Sequence, residues 1–316
     1  MFIRQLGYLI ALASERHFAR AAASCHVAQP TLSTGIKQLE EQLGVLIVER
    51  GQRFRGFTPE GERVLRWARG ILNDYQAMRD DLKQADGFTG ALRLGAIPVA
   101  MPILPWLTGP FCAAHPHARV NLVSASSLEI ERDLRTFDLD AGITYIDNEP
   151  IAHVQHVPLY RERYLLLTPA LQAGGLQGPV HWADLGQLPL CLLTQRMQNR
   201  RIIDLNLDKA GVAVRPRIEV DSLTALAGHL RVGWLSTIVP ESFLLTFDLP
   251  EGIAALELHD EAVGFTIGVV FTDRMPSTAV QAFLKAIDQE QLGHVMADRL
   301  AASTRHVILN GHHKFE

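Results

Sequence analysis

Cysteine is scarce in this chain. Its 316 residues hold three, Cys25, Cys112 and Cys191, an odd number on widely separated segments. They exclude a disulfide framework and contain no Cys-x-x-Cys metal pair, so a reducing cytoplasm is the expected compartment. Strong net charge is absent too. A formal −4 gives no global basic signature for nucleic acid. The charge-free stretch Leu94–Ala114 has the length of a membrane span, but Pro98, Pro102, Pro105 and Pro110 interrupt it. Four prolines leave helical hydrogen bonds unmade in lipid, so a strand, a turn and a capped helix are expected there, and no membrane partner. No secretory signal opens the chain, whose first residues are already patterned as a helix. What remains is an ordinary globular balance, 47% hydrophobic and 20% charged, on a chain long enough for two or three domains.

Charge is unevenly placed. Residues 1–57 carry Arg4, Arg16, Arg20, Lys37, Arg50, Arg53 and Arg55 against Glu15, Glu40, Glu41 and Glu49, a surplus of +3 that leaves −7 elsewhere. A small basic end on an acidic body is a first pointer to a nucleic-acid module.

Apolar residues in that end recur at helical spacing. Leu6, Leu9, Ile10 and Ala13 form one set; Phe18, Ala21 and Ala22 a second; Leu32, Ile36, Leu39 and Leu43 a third, stopped by Gly44. Two short helices around the break His26-Val27-Ala28 suit a helix-turn-helix. Pro30 fits the first turn of the third helix, and Thr31, Ser33, Thr34, Lys37 and Gln38 lie away from its apolar side. A small, polar, hydrogen-bonding face is what the major groove of DNA admits. Beyond Gly44, a β-branched run and then arginines among glycines read as a two-stranded wing aimed at phosphate. Periodicity alone leaves a three-helix bundle with a solvated polar face as an equal alternative.

The run FARAAASCHVAQPTLSTGIKQLEEQLGVLIVER, followed by FTPEG, resembles the winged helix-turn-helix of the LysR-type transcriptional regulators. The resemblance rests on the paired alanines, the Val-x-Gln-Pro turn, Ser33, Leu39-Glu40, Leu43-Gly44, Glu49-Arg50 and Thr58-Pro59-x-Gly61. It implies that Gln29, Pro30, Thr31, Ser33, Thr34 and Lys37 face bases or nearby phosphates of double-stranded promoter DNA, and that Arg50 and Arg53 hold the backbone. The family often has Ser at His17, Leu at Cys25, Arg at Thr34 and Phe at Val48. Thr34 therefore removes a common long basic contact, and Gly35 inside a helix costs roughly 1 kcal/mol against alanine.

Thr58 then precedes Pro59, an N-cap with proline at the first helical position. Val64, Ala68, Ile71, Tyr75, Met78 and Leu82 step by four and three, a coiled-coil seam on an otherwise charged helix. Such a seam is expected to pair two chains, and Gly87 and Gly90 to form a hinge after it. The resemblance agrees. It implies a homodimer assembling to a homotetramer, with RNA polymerase as a further candidate partner.

From Ala91 strands alternate with helices, which predicts parallel sheets in two α/β lobes. The expected plan is a winged helix-turn-helix (1–58), a linker helix (59–89), and an effector domain (90–292) with lobe I at 90–162 and 266–292 and lobe II at 163–265. A tail (293–316) follows. FDLDAGI and RVGWLSTIVP resemble the family's effector domain, which is like a periplasmic binding protein. Open α/β sheets bind ligands at strand carboxyl ends. That places Val99, Ala100, Ser126, Ser127, Thr194, Gln195 and Arg196 at the cleft. Serine hydroxyls at a helix N-terminus favour an anion, so a short organic carboxylate is the expected effector. Each serine serves equally as a plain N-cap.

The thirteen histidines show no metal-ligand spacing, and no P-loop, Gly-x-Ser-x-Gly or dinucleotide fingerprint stands in its required context. No cofactor, metal or catalytic residue is expected. Family members that sense oxidants use paired, accessible cysteines, which this chain lacks. The reading is a cytoplasmic, effector-responsive transcription regulator. The alternative is a soluble solute-binding protein or enzyme built on the α/β body.

Overall fold

The computed structural model describes residues 2–49, 54–82, 87–147, 149–174, 176, 179–258, 265–273 and 276–310. The N-terminal unit is three helices, α1 (Phe2–Glu15), α2 (Phe18–Ser24) and α3 (Gln29–Leu43), followed by a long α4 (Pro59–Asp81). Its core gathers most of the apolar sets read from the sequence: Leu6, Leu9, Ala21, Ala22, Leu32, Ile36 and Leu39 are buried, joined by Leu12, while Ile10, Ala13 and Phe18 pack partly against them and Leu43 is exposed. Ile47 and Val48 close the core from the far side, and Val48 bridges Phe57 across the base of the wing. The wing's Arg50 and Arg53 lie outside the described residues, as do 83–86 before the expected hinge; Gly87 itself takes the left-handed φ of 79°.

The remainder is a two-lobed α/β body. Lobe I holds β1 (Ala91–Ala96), α5 (Leu104–Ala114), β2 (Arg119–Ser124), α6 (Ser127–Arg135), β3 (Ala141–Tyr145) and β4 (Val154–Arg161). Lobe II holds β5 (Tyr164–Pro169), α7 (Ala170–Ala173), β6 (Cys191–Leu193), α8 (Gln198–Lys209), β7 (Ile218–Val220), α9 (Leu223–Arg231), β8 (Thr237–Pro240) and β9 (Ile253–Glu257). The chain then returns through β10 (Thr266–Thr272) to α10 (Thr278–Ala286) and α11 (Gln289–Asn310).

The sheets are not purely parallel, which corrects the expectation from strand–helix alternation. Lobe I has the order β2-β1-β3-β10-β4, with β1, β2 and β3 parallel and β10 antiparallel to both its neighbours. Lobe II repeats this plan. β6 and β7 are parallel, Leu190 bridges Ser236 to bring β8 alongside, and β5 runs antiparallel between β8 and β9. The fourth strand of each sheet is therefore the one that arrives from the other lobe. A strand that crosses over enters from the opposite end, so it must run antiparallel.

The stretch after β1 begins as a tight 3-10 turn, Pro98–Ile103, before α5; Pro102 lies inside that turn. α11 begins inside the body and runs past position 292, where the effector domain was expected to end. Leu292 and Met296 are both buried in the large core. Among the described residues no helix is long and apolar enough to cross a membrane.

Candidate DNA interface and interlobe site

The candidate DNA-facing surface is built on α3. Gln29, Pro30, Thr31, Thr34 and Lys37 are exposed and Ser33 is half-buried, while Leu32, Ile36 and Leu39 point inward. Ala28 caps α3 without a side-chain hydrogen bond, leaving the helix start unblocked by the chain's own side chains. Such a start favours phosphate. Gly35 has a packing reason: a Cβ there would stand 2.7 Å from Cδ2 of Tyr8, so the ring of α1 lies directly on the helix backbone. The helix cost of glycine is the condition for that contact.

Glu40 positions the wing. Its Oε1 accepts the backbone N–H groups of Ile47 at 2.8 Å and Val48 at 3.0 Å. Two amides at the entry to the wing are thereby fixed to α3, the helix that carries the residues expected to face bases. The start of α4 closes the other side. Thr58 Oγ1 accepts the Gly61 N–H at 2.9 Å, and a Cβ on Gly61 would lie 2.0 Å from the Ile47 carbonyl oxygen.

The linker seam divides into two parts. Ala68 is fully buried in the N-terminal unit's own core, and Val64 and Ile71 pack partly against it. Tyr75, Met78 and Leu82 are exposed. Farther round the helix, Arg69 Nη1 donates to Asp138 Oδ2 at 2.9 Å, tying α4 to lobe I.

Between the lobes, the residues expected at the cleft separate. Val99 and Ala100 are buried in the core, and Val99 contributes its carbonyl oxygen, which accepts from Ser242 Oγ of lobe II at 3.2 Å. Ser126 caps α6 in a reciprocal box: its Oγ accepts the Glu129 N–H at 3.3 Å, while its own N–H donates to Glu129 Oε2 at 2.8 Å. Ser127 is buried. The helix end thus already holds a carboxylate. The bonds from Ser126, first its backbone N–H, pull the Glu129 carboxyl below its ordinary range, and Arg132 and Arg196 add to the pull. Arg196 belongs to lobe II, so the Glu129 carboxylate feels a positive charge from the other lobe. Thr194 Oγ1 is buried with no hydrogen-bond partner, at the end of β6, and Gln195 is exposed beside it.

α8 supplies the rest of the interlobe wall, with Gln198, Asn199 and Arg200 buried in it. Arg200 fixes its first turn, donating to the Leu193 carbonyl at 2.7 Å, to Glu219 Oε1 at 2.6 Å and to Asp204 Oδ1 at 2.7 Å. This sets Gln198 and Asn199 against lobe I, where Thr144 Oγ1 donates to Gln198 Oε1 at 3.5 Å. The sequence reading missed this wall, and it missed the buried Glu162 next to it. Among the described residues no cluster of His, Cys, Asp or Glu is placed to hold a metal.

Comparison with known proteins resolves the class. Residues 3–62 match the family described as bacterial regulatory helix-turn-helix protein, lysR family, and residues 85–291 match the LysR substrate binding domain. This chain belongs to the LysR family of transcriptional regulators. The two matches fall on the helical N-terminus and the α/β body, and they make the chain a DNA-binding regulator, not an enzyme. A hydrogen peroxide-inducible genes activator of Haemophilus influenzae is 30% identical over 87% of this chain and 92% of its own length. The DNA-binding transcriptional dual regulator OxyR of Escherichia coli is 30% identical over 93% and 97%. Among solved structures, a full-length OxyR variant from Pseudomonas aeruginosa superposes with a TM-score of 0.74 at 28% identity, covering 91% of this chain and 94% of that one. CbnR in complex with its target DNA gives 0.63 at 26% identity, covering 91% and 99%.

Proposed function

We propose that this LysR-family chain binds promoter DNA as a dimer through α3 and the wing, assembles further into a tetramer, and answers a small ligand held between its lobes. The observation that carries the reading is the polar face from Gln29 to Lys37 on a helix whose opposite side buries Leu32, Ile36 and Leu39. The dimer contact is assigned to the outer half of the linker seam, Tyr75, Met78 and Leu82, because the inner half is engaged with its own domain. The setting is the cytoplasm, with RNA polymerase as the downstream partner.

The ligand class we assign is a short organic carboxylate. Glu129 shows the chemistry: a carboxylate already sits on the Ser126 amide and feels the charge of Arg196, and a ligand carboxylate would compete for that amide. The unpartnered Thr194 hydroxyl offers a further bond, since a buried donor left unmade costs roughly 1–3 kcal/mol that a ligand recovers. Calorimetry of a carboxylate panel tests this. Ser126→Ala/Ser127→Ala should weaken binding about ten-fold or more, two lost bonds at ~0.5–1.5 kcal/mol each. A ligand with equal affinity for both proteins places the pocket elsewhere.

A response to hydrogen peroxide, named for the Haemophilus influenzae relative, does not carry over on this chain's thiols. Cys25, Cys112 and Cys191 are free and stand on separate elements. Burial pushes the Cys191 thiol up to about 11, which keeps it from forming the reactive thiolate.

A further inference from the structure

The two segments that cross between the lobes meet at Glu162. It stands between β4 and β5, and its backbone N–H donates to the Phe265 carbonyl at 2.9 Å, just before β10, so both crossings are tied together at this residue. Its side chain lies inside the protein, 1% exposed. The groups around it are hydroxyls. Tyr145 of β3 donates to Oε2, Tyr164 of β5 donates to Oε2 at 3.4 Å, and Tyr160 of β4 donates to Oε1 at 3.4 Å. Asn199 of α8 donates to the Tyr145 and Tyr164 oxygens at 3.1 and 3.2 Å. One carboxyl therefore joins strands of both lobes and the helix that lines the cleft.

The charged group facing it is another acid. Glu241, in the turn after β8, adds to the cost of ionising Glu162, and Arg163 is turned toward Glu241, at 2.8 Å, rather than toward Glu162. The three tyrosines are pushed well above their ordinary range, chiefly by burial, and stay protonated.

We propose that Glu162 is a proton-linked latch at the hinge: it holds a proton while the lobes are arranged as seen here and releases it when opening admits water, so acid favours this arrangement and alkali favours opening. The latch rests on the two-lobed architecture and not on the identity of any ligand. Burial dominates its acidity and pushes the carboxyl up to about 8, against the downward pull of the tyrosine hydroxyls. An opened, hydrated carboxyl returns to its ordinary value of about 4.5. Between those limits the closed form carries a proton that the open form lacks, so opening gains roughly ten-fold per pH unit as pH rises. Above about 8 both forms are ionised and the dependence ends.

The test uses the full-length protein without ligand. Infrared difference spectra taken well below and well above pH 8 should show a neutral carboxyl C=O band at the lower pH that Glu162→Gln lacks. Amide hydrogen exchange at residues 154–169 and in the first turn of α8, corrected for intrinsic rates, should quicken with pH in the wild type and stay flat in Glu162→Gln. Tyr164→Phe removes one hydroxyl that holds the carboxyl down, and should move the midpoint upward. A missing band, an identical pH dependence in Glu162→Gln, or an unmoved midpoint in folded Tyr164→Phe would overturn the latch. None of these outcomes bears on whether a carboxylate binds at Ser126.

Discussion

Replacing Glu40 with alanine removes the acceptor that fixes the entry to the wing. Two amides, Ile47 and Val48, lose partners at 2.8 and 3.0 Å. Hydrogen bonds to a charged group contribute ~1.5–3 kcal/mol each when buried. Glu40 is only half-buried, so water replaces part of each bond, and about 2–3 kcal/mol in all is the expected loss for the N-terminal unit. In a unit of this size 1 kcal/mol moves the melting midpoint by roughly 4–8 °C, so its transition should fall by roughly 8–24 °C. Calorimetric melting of the full chain reads that shift. Amide exchange at Ile47 and Val48 shows whether its origin is local. Glu40→Gln keeps a carbonyl acceptor without the charge and should restore more than half of the loss. If both amides keep their protection in Glu40→Ala, or if Gln is as damaging as Ala, Glu40 does not position the wing as described.

Other outcomes follow from the same geometry. Met78→Asp/Leu82→Asp places two charges on the outer seam and should shift sedimentation toward monomer while leaving the folded N-terminal unit intact; intact oligomers would refute the seam. Ile71→Asp should lower stability as well, because that residue also packs on its own domain, and thermal melting separates the two effects. Gly61→Ala sets a Cβ 2.0 Å from a backbone oxygen, so the start of α4 must move. Its melting midpoint should fall by more than the ~1 kcal/mol gain in helix propensity can offset. Glu129 is held ionised by Ser126, so its contribution is present above its ordinary value and lost as pH falls through the lowered one. Glu129→Gln should flatten that acid limb in a pH–stability series.

Much of this was legible in the residues. The N-terminal helices could be read because their apolar positions repeat at helical spacing and their ends carry Pro30, Gly44 and Thr58. The seam at Val64–Leu82 was also plain, but a seam does not state its partner: the inner half faces α1–α3 and the outer half faces out. β4 escaped because Pro158 interrupts it, which an edge strand tolerates, and β9 because Ala254 and Ala255 give it little β character. The crossing strands at 164–168 and 266–271 could be read, but their antiparallel direction was hidden because their neighbours are distant in sequence. Ser126 and Glu129 form a Ser-x-x-Glu box whose spacing announces the cap. Its meaning as an occupied carboxylate site needed the Ser126 bonds to Glu129 Oε2. Glu162 looked like one charge in a strand-rich run. Only the convergence of Tyr145, Tyr160 and Tyr164 from separate strands shows it to be buried.

The central claim is that the outer face of α3 reads DNA, and selection from a random-sequence duplex pool with the full-length chain tests it most directly. The wild type should enrich an interrupted palindrome, two half-sites for two recognition helices. Ser33→Arg, which fills the space where helix and groove meet, should enrich no motif while its melting curve stays that of the wild type. Recovery of the same palindrome by folded Ser33→Arg, or of no sequence by the wild type, would contradict the account.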